Sequence, residues 1–121
     1  MPGLTTKSFD KADEVRTPDK TKVEVVDLGV AKAARVTFQP GWKWSECVKP
    51  VAGTDTCQAH HVGVVVSGKI HIVHNDGTEG DAGPGDAYVI EPGHDAWVVG
   101  NDAVTGFEFD SSAAATYASG K

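Results

Sequence analysis

The feature that most constrains this chain is its punctuation. Runs rich in β-branched residues are cut at short intervals by turn-forming groups: Pro40-Gly41, Ser67-Gly68, Asn75-Asp76-Gly77, Gly83-Pro84-Gly85-Asp86, Pro92-Gly93 and Gly100-Asn101-Asp102. Glycine supplies positive φ and proline a fixed φ, so each group reverses the chain and leaves room between turns for short strands only. The strand segments are Lys22 to Asp27, Ala33 to Phe38, His61 to Val66, Lys69 to His74, Tyr88 to Ile90, Trp97 to Val99 and Phe107 to Phe109. No window carries a helical repeat except the Ala-rich Ser111 to Tyr117, which lacks a capping pattern. The pattern predicts an all-β domain, a sandwich or barrel.

The 121 residues allow one domain. Residues 1–20 carry Lys7, Asp10, Lys11, Asp13, Glu14, Arg16, Asp19 and Lys20, with Leu4, Phe9 and Val15 as their only large apolar groups. They are expected to form an arm, either disordered or laid over a neighbour, ahead of a barrel domain over 21–121. The net charge of −6 argues against nucleic acid or an anionic membrane surface as partner. No apolar run approaches the ~20 residues of a membrane span. Residues 1–20 also lack the apolar stretch of a secretory signal, so a cytoplasmic protein is expected.

Phe38-Gln39-Pro40-Gly41, Val64 to Gly68 and Gly83 to Gly93 resemble the two sequence motifs of the cupin family. The resemblance spans roughly Val23 to Phe109 and implies a single jelly-roll β-barrel. Counting forward from Gly41 and back from Gly68, the first-motif histidines and glutamate of the family fall on Cys47, Cys57 and His61. Val48 to Thr56 then form an insertion between the first two positions. In the second motif Glu91 stands for the proline, Gly93 is kept, and Ala96 replaces the histidine, with His94 two residues before it. The metal shell of the family is therefore carried over by position and not by residue type.

Side chains alternate along a strand, so Cys57 and His61 share a face while His60 points away. The resemblance sets Cys47 at the same barrel mouth and His94 over it. Two thiolates and two imidazoles suit Zn²⁺ or Fe²⁺ and exclude Mg²⁺ and Ca²⁺, which prefer oxygen. Three ligands with an open position are expected over a closed set of four. Blander readings stand beside this one. Cys47 and Cys57 are a buried apolar pair or a disulfide closing the inserted loop, His61 is a hydrogen-bonded core histidine, and His94 is a surface turn residue. Trp42 and Trp44 are expected on one strand face, with Trp97 on the strand after His94. They fill the core or a dimer face, or else wall a small-ligand pocket with Tyr88 and Phe109. Among Glu46, Asp55, Glu91, Asp95 and Glu108, the acids Glu91 and Asp95 lie nearest the mouth and are the expected proton-transfer groups.

These expectations describe a small cupin that binds a divalent metal, Zn or Fe, and acts on a small molecule as a dioxygenase, isomerase or lyase. The alternative is a metal-free ligand binder or a thiol–disulfide sensor. The resemblance also implies a homodimer.

Overall fold

In the computed structural model, which describes residues 3–109, the turn clusters do what their chemistry demands. Gly41, Gly68, Gly77, Gly85, Gly93 and Gly100 all adopt positive φ at chain reversals. Between the reversals run β1 (Glu14–Arg16), β2 (Thr21–Asp27), β3 (Lys32–Phe38), β4 (His61–Ser67), β5 (Ile70–His74), β6 (Glu79–Ala82), β7 (Ala87–Ile90), β8 (His94–Val98) and β9 (Val104–Phe109). Of two four-residue helices, α1 (Trp44–Cys47) ends where the expected insertion begins and α2 (Lys49–Ala52) lies within it. The Ala-rich Ser111 to Tyr117 lies outside the described residues.

Six strands form one sheet in the order β1-β2-β3-β9-β4-β7, and three form a second in the order β6-β5-β8. Every pairing is antiparallel. The sheets do not close on each other, but the architecture is all-β. Their inner faces share one core, in which Val23, Val36, Val65 and Val104 of the larger sheet meet Ile70, Ala96 and Val98 of the smaller.

Three elements depart from the sequence pattern. The segment with Trp42 and Trp44 is not a strand. Lys43 makes an isolated bridge to Trp97, and the Asp95 carboxylate then accepts the Ser45 N–H, which starts α1. Strand β6 has neither β-branched nor aromatic residues, and forms because β5 offers it a paired edge. Within the polar stretch 1–20, Glu14–Arg16 pairs along β2, and Phe9 packs on Phe107 with ring centroids 5.3 Å apart.

Candidate metal centre

The site grows from one row of residues across three neighbouring strands. Glu108 of β9 pairs with Gly63 of β4, and Gly63 pairs with Tyr88 of β7. Because the middle residue has no side chain, its neighbours meet above it: Tyr88 Oη donates to Glu108 Oε2 at 2.6 Å. A Cβ at position 63 would collide with the Phe107 carbonyl oxygen and stand 2.9 Å from both Glu108 Cγ and Tyr88 Oη. His61 is two residues along β4 and therefore on the same inner face. Its Nδ1–H donates to Glu108 at 2.9 Å, and its Nε2 faces Cys57 Sγ at 3.6 Å.

A turn of the smaller sheet brings the second histidine. Gly93, with φ of 101°, reverses the chain after Pro92, where a side chain would be strained. Its N–H donates to the Cys57 carbonyl, and the Cys57 N–H donates to the His94 carbonyl at 2.8 Å. His94 Nδ1–H donates to the Glu91 main-chain oxygen at 2.7 Å, which leaves Nε2 for the Cys57 side. Cys57, His61 and His94 are all buried, and their ligand atoms lie within 4.8 Å of one another.

Electrostatics couple the three groups. Burial opposes ionisation of the Cys57 thiol, but hydrogen bonds from His61 and His94 outweigh it and bring its pKa down to about 6. Burial likewise opposes charge on His61, yet the Glu108 carboxylate and the Cys57 sulfur raise its pKa to about 10. Without a metal, both shifts favour a thiolate paired with an imidazolium near neutral pH. Burial, then the charge of Glu108, holds the Tyr88 phenol well above its ordinary value.

The cluster opens on a narrow lumen of about 40 Å³, walled by Phe38, Trp42, Trp44, Val65, Tyr88 and Ile90 among others. A wider groove of about 670 Å³ runs outside, between the β6 and β7 edges, and Tyr88 and Ile90 border both spaces.

The other expected site residues lie elsewhere. Cys47 is buried on α1, with Sγ 3.9 Å from an Asp19 carboxylate oxygen, outside the group of three; the helix turns it away from the lumen. The two cysteines are free thiols. The Glu91 carboxylate pairs with His60 at 2.6 Å, on the outside, and only its main-chain oxygen serves the site. Asp95 follows His94 on β8 and so faces the opposite way, holding the Ser45 and Ala96 N–H groups. Trp97 is also on that outer face, with His71 4.9 Å away and Lys43 over its ring. Phe109 is exposed. Trp42, Trp44 and Tyr88 do line the lumen. Glu108, not favoured from sequence, is the carboxylate at the centre.

No protein-family model and no curated protein matches the sequence. Solved structures do. A Rhizobium leguminosarum protein of unknown function aligns at TM-score 0.63 and 20% identity, covering 89% of this chain and 97% of that one. A sugar phosphate isomerase of the cupin superfamily from Silicibacter pomeroyi aligns at 0.59 and 17%, covering 87% and 74%. The cupin domain of Schizosaccharomyces pombe Cnp3 aligns at 0.59 and 13%, covering 86% and 71%. The fold is that of the cupins. Of the residues expected from motif counting, Cys57 and His61 converge and are joined by His94, while Cys47 lies on α1 outside the group.

Proposed function

We propose that this cupin holds one divalent metal, zinc or iron, through Cys57 Sγ, His61 Nε2 and His94 Nε2, and acts there on a small molecule. The observation that carries this is the use of both Nδ1 atoms. Each donates to a fixed acceptor, Glu108 for His61 and the Glu91 carbonyl for His94, and so each ring presents Nε2 toward one sulfur. That outer set of hydrogen bonds is the usual support of metal-binding histidines. The 3.6 Å between Cys57 Sγ and His61 Nε2 also fits a tetrahedral shell, which places sulfur and nitrogen about 3.5 Å apart. Three protein ligands leave a position open, and a metal held there supplies Lewis acidity to its occupant. Glu108 orients His61, and with Tyr88 it forms the proton-bearing chain in the lumen wall.

The test is metal content of protein purified without chelators and then offered Zn²⁺ or Fe²⁺. About one metal per chain is expected in the native protein and in Cys47→Ala, with loss in Cys57→Ala, His61→Ala and His94→Ala. A native protein that keeps no metal after loading overturns the proposal.

A further inference from the structure

Among the described residues, one buried side-chain polar atom has no hydrogen-bond partner: the indole Nε1 of Trp44. Trp44 is fully buried and lines the lumen beside His61 and His94. Its neighbour shows how such a donor is ordinarily satisfied, since Trp42 Nε1–H donates to Thr21 Oγ1 at 2.9 Å. The other polar side chains at the lumen, Tyr88 and Glu108, are engaged with each other. A buried donor without an acceptor is rare enough in folded proteins to call for a ligand or a trapped water. The free space, about 40 Å³, admits only two or three water-sized groups.

We infer that the lumen binds a ligand of about three non-hydrogen atoms, whose acceptor oxygen or nitrogen takes the Trp44 Nε1–H bond while the ligand faces the Cys57, His61 and His94 group. The inference rests on the metal reading above and adds the recognition group and the size limit. Trp44 is a positioning and specificity residue. It discriminates in favour of acceptors, and the narrowness of the lumen discriminates against bulk.

The test follows the indole N–H resonances of ¹⁵N-labelled protein, with Trp44 assigned by its loss in Trp44→Phe. Formate and azide serve as probes and benzoate as the bulky control. In zinc-loaded protein, formate and azide are expected to shift the Trp44 resonance while the Trp42 and Trp97 resonances stay put, and benzoate has no effect. By calorimetry, Trp44→Phe is expected to keep its zinc and bind formate at least about tenfold more weakly, a difference of about 1.4 kcal/mol. If Trp44→Phe does not fold, the resonance shifts in native protein decide alone. Zinc bound without any Trp44 shift overturns this inference and leaves the metal centre standing. Native protein that keeps no zinc after loading, yet shows the Trp44 shift, overturns the metal reading and keeps the acceptor site. A benzoate shift equal to that of formate overturns the size limit.

Discussion

At the scale of single residues, the centre is a contest between protons and metal. The Cys57 pKa is lowered to about 6 and the His61 pKa raised to about 10, so between those values the Cys57–His61 pair holds one proton that a metal must displace, on His61. Metal affinity is therefore expected to rise about tenfold per pH unit between about pH 7 and 10, and more steeply toward acid, where the thiol must also ionise. Above about 10 it levels off. Competition titrations against a chelator of known pH dependence measure these slopes. Glu108→Gln keeps the size of the side chain and removes its charge. It is expected to weaken metal binding by about 10- to 100-fold, while a matching Glu91→Gln leaves affinity unchanged, because only the main-chain oxygen of residue 91 is used. Counting along motifs selects Cys57 and His61 from the sequence, whereas the counted second-motif position holds Ala96 and His94 is picked out only as its neighbour. Glu108 stands among five candidate acids there but is not favoured, since in Phe107-Glu108-Phe109 the aromatics look like the buried face. The structure inverts that face: Glu108 is 4% exposed and Phe109 is 49% exposed.

At the scale of elements, register makes the site. Glu108, Gly63 and Tyr88 come from segments far apart in the chain, and only the β9-β4-β7 pairing lines them up. Nothing local in the sequence announces that alignment, so the role of Gly63 was invisible there. Gly63→Ala forces a methyl group against backbone and against the Tyr88–Glu108 bond. It is expected to cost about 1–3 kcal/mol of stability, read as a shift in the denaturation midpoint, and to lower metal occupancy in the protein that still folds. The strands bounded by Gly and Pro clusters were legible because turn chemistry is local. The helix α1 was not, because its start depends on an aspartate of a distant strand. With that helix went the expected placement of Cys47.

At the scale of the molecule, two sheets that do not close leave a side where the lumen is separated from the outer groove by little more than Tyr88 and Ile90. Ile90 is half-buried and takes no part in the centre. Ile90→Ala is expected to cost about 2 kcal/mol of stability and to open this wall. Chelators should then strip the metal faster, with the equilibrium affinity changed far less; stopped-flow measurement of metal release checks it. Cupin-like sequence motifs pointed to this architecture, but the gap between the sheet edges is a property of side-chain volume and pairing that no motif encodes.

The two histidines are anchored in different ways, and this gives the centre an uneven tolerance to mutational drift. Whatever amino acid occupies position 91, a carbonyl remains to aim His94, so that half is buffered against substitution by the polypeptide itself. The other half hangs on a single carboxylate at 108, with a glycine at 63 to make room for it. A lineage descending from this protein would shed its metal by way of position 108 or 63 long before changes at 91 were felt.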